Sequence, residues 1–170
     1  VVGFKSLDVV VNDENLGLAR SIRTGVNSVF QNNESLMVIE DDLIVASNAL
    51  RFLNSGLDKY TSSDKVASIQ LFQYPIRVDL QEPVFLRGAD CWGWATWKNR
   101  WELFDHNVER KMSTHPLLML KHGGIKGLKR WRSVSQRLRS GELDSWGYRW
   151  LFSVWLRRGM NLVFPYNLIE

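Results

Sequence analysis

Cysteine and histidine are scarce in this chain of 170 residues, which has Cys91 as its single cysteine and three histidines. A lone cysteine excludes an internal disulfide and fits a reducing compartment. The histidines have no spacing with Cys91 that is typical of a zinc site. A disulfide scaffold and a zinc module therefore do not explain this fold.

Long apolar runs and glycine-rich phosphate loops are also missing. No apolar run approaches the roughly 20 residues of a membrane-spanning helix, and no signal-peptide pattern is present. The sequence has no Walker loop, no GxSxG elbow and no GxGxxG fingerprint. Because neither a membrane-spanning run nor a signal-peptide pattern is present, we expect a cytoplasmic protein. The chain begins at Val1 and ends just after an apolar segment, so we also expect a fragment of a longer protein.

The chain is rich in tryptophan and, in its second half, in positive charge. All eight tryptophans lie beyond residue 91, and 45% of the residues are hydrophobic, which is enough for the core of one compact domain. Residues 87–139 have a net charge of +8, and the span 121–139 has seven basic residues and no acid. That span predicts an anionic partner, such as a diphosphate, a lipid headgroup or nucleic acid, or else a solvated helix face.

Apolar periodicity predicts alternating strands and helices in the first seventy residues. The predicted elements are a strand at 7–11, a helix at 16–30, a strand at 36–39, a helix at 49–60 and a strand at 66–71. This order is typical of βαβ units, so we expect an α/β fold with a mainly parallel sheet. Later segments predict strands at 84–86 and 162–165 and a helix that begins at Asp144 or Ser145 and runs to Arg158.

The most informative motif is the acidic triplet Glu40-Asp41-Asp42, which directly follows the apolar run 36–39. In open α/β sheets the ligand lies at the carboxyl ends of the strands. Carboxylates are ligands that Mg²⁺ and Mn²⁺ prefer, and Mg²⁺ is usually shared with substrate phosphates. The triplet therefore predicts a cation site for a phosphorylated substrate, with a solvated acidic turn as the alternative.

Two further groups of residues are candidates for chemistry. Trp92, Gly93, Trp94 and nearby tryptophans offer flat apolar faces that suit sugars or bases, although such side chains also fill cores. Asp144 stands at the start of a predicted helix, where a carboxylate is a credible general base, with Glu142 in reserve. A plain N-cap aspartate is the alternative.

Together these segments resemble bacterial sugar transferases of the GT-A fold, in the nucleotide-diphospho-sugar transferase superfamily. The resemblance rests on four motifs: Asn15-Leu16-Gly17-Leu18-Ala19, Val38-Ile39-Glu40-Asp41-Asp42-Leu43, Trp92-Gly93-Trp94-Ala95-Thr96-Trp97, and Asp144-Ser145-Trp146 with Arg149-Trp150. It is also similar to N-acetylglucosaminyltransferases that use a Glu-Asp-Asp form of the DXD motif.

The resemblance implies a role for each matching position. Asp42 would bind Mn²⁺ or Mg²⁺, and Glu40, Asp41, Asn15 and Gly17 would bind a UDP- or GDP-linked sugar donor. Asp144 would be the catalytic base. The sugar and acceptor pocket would be lined by Trp92, Gly93, Trp94, Trp146 and Arg149.

The implied domain is a single glycosyltransferase unit over 1–170, with a donor and metal half at 1–75 and an acceptor and base half at 76–170. The family usually begins with a strand and loop that bind the nucleotide base, so we expect the first strand or strands to be missing. The implied enzyme is a hexosyltransferase of bacterial polysaccharide biosynthesis that acts on a glycan or lipid-linked acceptor. The basic span 121–139 would be a mobile acceptor loop that touches the inner face of the membrane, and nucleic acid would not be a partner.

Two other functions fit parts of the sequence. A nucleotidyltransferase that forms sugar nucleotides would share the α/β fold, although such enzymes carry a Gly-rich basic loop near their start. A non-catalytic polyanion-binding domain would use the basic span 121–139, but the acidic triplet would repel its ligand.

Overall fold

A computed structural model describes residues 3–74 and 82–170 of the chain. The strands are β1 Ser35–Val38, β2 Val66–Gln70, β3 Val84–Leu86, β4 Trp94–Trp97 and β5 Met160–Val163. The helices are α1 Leu18–Val29, α2 Ala49–Lys59, α3 Lys98–Trp101, α4 Val108–Ser113, α5 Pro116–Lys121, α6 Gly124–Ser140 and α7 Trp146–Leu156. The structure is a mixed α/β fold, with a five-stranded sheet flanked by helices.

The sheet is mostly antiparallel, so the expected mainly parallel sheet is wrong. Its strand order is β1-β4-β2-β5-β3, and the pair β2–β5 is parallel whereas the other pairs are antiparallel. The reason is that β4 lies between β1 and β2 and runs in the opposite direction. The four elements predicted between residues 16 and 71 occur in the expected order, as α1, β1, α2 and β2, but β1 and β2 are not neighbours in the sheet.

The position of β4 brings distant segments of the chain together at one edge of the sheet. Val38 of β1 and Gln70 of β2 both lie opposite Trp94, the first residue of β4. Since β4 runs against its neighbours, the residues before Trp94 lie beside the residues that follow β1 and β2. The triplet 40–42, the segment 90–93 and the segment 71–74 therefore share this edge.

The predicted strand at 7–11 is wrong. Leu7 to Val11 are not in a strand, and Val9, Val10 and Val11 are about as exposed as side chains become, at 78%, 84% and 83%. A run of β-branched residues favours a strand only where a neighbouring strand and a core receive its side chains. Neither is provided by the part of the chain that the structure describes.

Most of the tryptophans lie in the core, and helix α7 is at its centre. Seven of the eleven residues of α7 are buried, as expected for a helix that is apolar on nearly all sides. One face of the sheet packs on α2 through Leu53 and Ile69. The other face packs on α1 and α7 through a cluster that includes Trp94, Trp101 and Trp150.

Gly93 provides a test of how closely β4 must approach β2. Its backbone is left-handed, with φ of 67°, and a Cβ at this position would lie 2.8 Å from Cδ1 of Leu71. We expect Gly93→Ala to lower the free energy of unfolding by about 2–4 kcal/mol, because the strained backbone and the overpacking both cost energy. Gly25→Ala is the matched control, because Gly25 is in α1 with open space around it and the change should raise stability by about 0.5–1 kcal/mol. Urea unfolding measures both; equal effects would contradict the close approach.

Candidate functional site

The acidic triplet follows β1 directly, as predicted. Glu40 is half-buried, whereas Asp41 and Asp42 are exposed. The backbone N–H of Leu43 donates to the carbonyl of Glu40 at 3.4 Å, so the triplet forms a turn. The two aspartates can therefore reach a ligand in solvent, while Glu40 faces the protein.

A fourth carboxylate, Asp90, lies near the triplet. Burial raises the pKa of Glu40, and the charges of Asp42, Asp41 and Asp90 raise it further, in that order. Sequence reasoning missed Asp90, because 48 residues separate it from Asp42 and only the antiparallel position of β4 connects them. The region is thus an acidic site formed by the segment that follows β1 and the segment that precedes β4.

Asp90 has its own hydrogen-bonded surroundings. Its Oδ1 accepts a hydrogen bond from the backbone N–H of Cys91 at 2.9 Å. Burial raises the pKa of the Tyr74 hydroxyl, and so do the charge of Asp90 and a hydrogen bond to it. The side-chain amide of Gln70 lies 3.5 Å from the carbonyl of Asp90. Asp90 is therefore held in place by groups from β2 and from the segment that follows it.

A cavity of about 550 Å³ opens beside Asp90, between the ends of β2 and β5 and the helices α6 and α7. We call it the aromatic cavity, because aromatic side chains form much of its wall: Phe72, Tyr74, Trp92, Trp131, Tyr148 and Trp155. Trp92 packs edge-on against Phe72 with ring centroids 4.7 Å apart, and it is 43% exposed. Gln70, Asp90 and Arg130 add polar groups. Flat apolar faces with a few polar groups suit a sugar or a nucleobase.

Of the residues predicted for the sugar pocket, Trp92 lines the aromatic cavity and the others do not. Trp94 is fully buried, 5.2 Å from the ring of Trp146, which is 3% exposed. Gly93 is approached by the side chain of Leu71. Trp146 and Arg149 instead border a smaller cavity of about 240 Å³ beside Asp144. Residues two apart in a strand face the same side, but Trp92 precedes β4 and the left-handed backbone of Gly93 separates it from Trp94. Trp94 therefore packs in the core while Trp92 stays at the cavity.

Asp144 is exposed at the start of α7, as predicted. Ser145, and not Asp144, caps the helix, since its Oγ accepts from the backbone N–H of Tyr148 at 3.4 Å. Nη1 of Arg149 lies 3.4 Å from Oδ1 of Asp144, and Nε of the same arginine lies 3.5 Å from Oε2 of the buried Glu109. Arg149 therefore links the exposed carboxylate to the core.

Residues 15–17 meet Asp144. The backbone N–H of Gly17 donates to Oδ1 of Asn15 at 2.9 Å, which shapes the turn before α1. A Cβ on Gly17 would lie 3.8 Å from Oδ2 of Asp144. The predicted donor-binding segment and the predicted base are therefore neighbours. Glu142, the reserve base, is instead paired with Arg137 at 2.7 Å on the surface.

Cys91 connects the acidic site to the start of α7. A Cβ on Gly147 would lie 3.8 Å from its Sγ, so the first turn of α7 packs against it. Burial raises the pKa of the Cys91 thiol to about 11, with smaller contributions from Asp90 and Glu40. At neutral pH it is a thiol, which is a poor nucleophile.

The basic span 121–139 is helical, so the expected mobile loop is wrong. It comprises the end of α5, a break at Gly123 and most of α6. Glycines at 123 and 124 with positive φ allow the chain to turn between the two helices. Arg130 of α6 lines the aromatic cavity, and this places one cation of the span beside the candidate site.

The carboxylates of the acidic site suit a cation that is shared with an anionic ligand. Within residues 3–74 and 82–170, no group of three or more His, Cys, Asp or Glu side chains could hold a metal ion alone. Burial is the main cause of the raised pKa of Glu40, and the neighbouring carboxylates add a negative potential that a divalent cation would offset. A cation held by one or two of these carboxylates and by phosphate oxygens fits that arrangement.

Comparison with known proteins leaves the family open. No model of a known protein family matches the chain, and no curated protein matches its sequence. The resemblance to sugar transferases therefore stays a prediction. Among the described residues, no helix has the length and hydropathy needed to cross a membrane.

The thiol of Cys91 provides a test of the acidic site. A pKa of about 11, against an ordinary value of 9.0, leaves about 100-fold less thiolate at pH 8. We expect iodoacetamide to alkylate the folded protein at least that much more slowly than the urea-unfolded chain, with a rate that keeps rising up to about pH 11. Cys91 is the single cysteine, so mass spectrometry reads the rate directly.

The matched variant is Asp90→Asn, which removes a neighbouring negative charge and retains a hydrogen-bond acceptor. It should lower the pKa of Cys91 and speed alkylation several-fold at pH 8. An unchanged rate in this variant would show that Asp90 does not contribute to the potential at Cys91.

Proposed function

We propose that this chain is a metal-dependent glycosyltransferase of the GT-A fold, which moves a sugar from a nucleotide-diphosphate sugar to an acceptor hydroxyl. The observation that carries the proposal is the convergence of the acidic triplet and Asp90 beside the aromatic cavity. A nucleotide sugar needs both features, since its diphosphate is anionic and its sugar has flat faces that stack on aromatic rings. The proposed setting is bacterial polysaccharide biosynthesis at the inner face of the membrane.

In this proposal the exposed carboxylates of the triplet bind the donor. Asp42 holds Mn²⁺ or Mg²⁺ together with the donor diphosphate, and Glu40 and Asp41 contact its sugar or ribose. When bound, the cation neutralises the charge that develops on the leaving diphosphate. The exposure of Asp41 and Asp42 supports these roles, because both side chains are open to a ligand from solvent.

The aromatic cavity provides the sugar-binding surface. Trp92 and Tyr148 contribute apolar faces, while Gln70 and Asp90 offer hydrogen-bonding groups to sugar hydroxyls. Arg130 adds a cation at the same wall. This charge suits an acceptor that carries a phosphate or another anion, as a lipid-linked glycan does.

Asp144 is the proposed general base. Its carboxylate takes the proton from the acceptor hydroxyl as that oxygen attacks the anomeric carbon of the donor. Arg149 lies between this carboxylate, at 3.4 Å, and the buried Glu109, at 3.5 Å, so it holds a positive charge beside the proposed base. Asn15 and Gly17, which are also proposed to contact the donor, lie in a turn against Asp144.

A polyanion-binding domain is the second candidate, and α6 is the feature that favours it. Six of the seven basic residues of the span 121–139 are exposed within this helix: Lys126, Lys129, Arg130, Arg132, Arg137 and Arg139. The carboxylates beside the aromatic cavity count against it, because they would repel a polyanion. Binding that survives Asp42→Ala and falls steeply with salt would favour this candidate.

Nucleotide binding provides the first test of the proposal. We expect UDP or GDP to bind more tightly in the presence of Mn²⁺ than in EDTA, because the carboxylates of the acidic site alone repel a diphosphate. Asp42→Ala should weaken this binding at least tenfold, since it removes the proposed cation ligand. Isothermal titration calorimetry measures both.

Asp58→Ala is the matched control. Asp58 is an exposed aspartate near the end of α2, the helix that leads into the start of β2, so it lies toward the opposite edge of the sheet. Its loss should leave nucleotide affinity unchanged. If Asp42→Ala bound the nucleotide as tightly as Asp58→Ala does, the donor site would lie elsewhere.

The proposed base is tested separately from donor binding. Asp144→Asn should reduce acceptor-dependent release of the nucleoside diphosphate by about 10²–10⁴-fold, because the amide cannot accept the proton. Its affinity for the nucleotide should stay the same. Glu142→Gln is the control, since Glu142 is paired with Arg137 outside both cavities. Normal turnover by Asp144→Asn would remove the base assignment.

A further inference from the structure

A second cavity, of about 620 Å³, lies on the other side of Trp155 from the aromatic cavity. We call it the basic cavity, because Arg87, His115, Lys121, His122 and Arg158 all line it. No acidic side chain of the described residues is among its lining groups. The rest of its wall is apolar and includes Leu117, Leu118 and Leu156.

The three permanent cations of the basic cavity have no ion-pair partner in the part of the chain that the structure describes. They come from three separate elements: Arg87 follows β3, Lys121 ends α5 and Arg158 follows α7. Like charges repel one another, so their convergence without a carboxylate is unfavourable in the empty protein. A bound anion would remove that repulsion.

His122 lies close to two of these charges, Arg87 and Lys121. Its ring lies flat on Trp155, with centroids 3.8 Å apart, and its carbonyl accepts a hydrogen bond from Nε1 of Trp131 at 2.9 Å. Burial, together with the smaller effects of the charges of Arg87 and Lys121, lowers the pKa of His122 to about 4. The ring is therefore neutral at pH 7 and can donate or accept one hydrogen bond.

Arg158 is held in a backbone conformation that favours glycine. Helix α7 ends in a Schellman motif, in which the N–H of Gly159 donates to Val154 and the N–H of Arg158 donates to Trp155. Arg158 occupies the left-handed position of this motif, with φ of 57°. An arginine in that conformation costs energy that a glycine would not, which points to a use for its side chain.

We propose that the basic cavity binds a ligand that carries a phosphate or diphosphate group, with the anion between Arg87, Lys121 and Arg158. Guanidinium groups match phosphate oxygens in pairs, and an ammonium adds a further charge. The ring of Trp155 and the leucines of α5 contact an apolar part of the ligand. Leu117, which is 79% exposed, also lies at this wall. The same cations and apolar side chains would contact either the phosphate of a lipid headgroup or a free phosphate compound.

The test compares Arg158→Gly with Arg157→Gly. Each removes one positive charge, but Arg157 does not line the basic cavity. Arg158→Gly should relieve the left-handed strain, so its melting temperature should stay the same or rise while its ligand affinity falls about tenfold. Lys121→Gln provides a second variant with the same expected loss of affinity.

Two probes distinguish the sources of the phosphate. Inorganic pyrophosphate is titrated by calorimetry in EDTA, so that no cation can hold it at the acidic site. Phosphatidylcholine vesicles, with and without phosphatidylglycerol, are tested by co-sedimentation. Pyrophosphate binding that is weakened by Arg158→Gly and not by Arg157→Gly supports a free phosphate ligand. A lipid headgroup is supported if only the vesicles with phosphatidylglycerol bind the protein, and if Arg158→Gly but not Arg157→Gly weakens that binding.

Two results would overturn the proposal. One is equal binding by Arg158→Gly and Arg157→Gly with either probe, which would show a diffuse charge effect. The other is the absence of binding to both probes by the unaltered chain. Neither result bears on nucleotide binding at the acidic site, because the readout uses no nucleotide and no divalent cation.

Discussion

The antiparallel pairing of β4 between β1 and β2 is the constraint on which the candidate site depends. Because Trp94 lies opposite both Val38 and Gln70, the chain before it must pass the ends of both neighbouring strands. That passage places Asp90 near the acidic triplet and Trp92 against Phe72. The burial of Trp94 stabilises this pairing, which brings the two groups of candidate site residues together.

Helix α7 extends this arrangement from the sheet to the surface. Its middle is buried in the core, and its two ends carry exposed charges: Asp144 at the start and Arg158 just after the end. Trp155, near the end of the helix, lines both the aromatic and the basic cavity. A helix whose apolar middle is fixed in the core holds the polar groups at both of its ends in place. The proposed general base, Asp144, and the proposed anion-binding residue, Arg158, both require such a fixed position.

The parts of the site that could be predicted from sequence are those that depend on local pattern. The apolar run before Glu40 is enough to place the triplet at a strand end, and the sequence around Ser145 is enough to start α7. Asp90 could not be predicted, since its role depends on a pairing between distant strands. The strand predicted at 7–11 is wrong for a related reason: the local sequence favours a strand, but a strand also needs a neighbouring strand to pair with. The relative direction of neighbouring strands could not be predicted either, because it depends on how the strands are connected along the chain.

The distribution of charge separates the two cavities by the kind of ion that each can take. Carboxylates dominate the edge of the sheet at 40–42 and 90, so an anion approaches there only with a cation. Arginine and lysine dominate the basic cavity, so an anion needs no cation there. The aromatic cavity beside the carboxylates and the basic cavity lie on the two sides of Trp155. Under the two proposals, a ligand with a diphosphate has two chemically different sites on this protein, and only the acidic site depends on Mn²⁺.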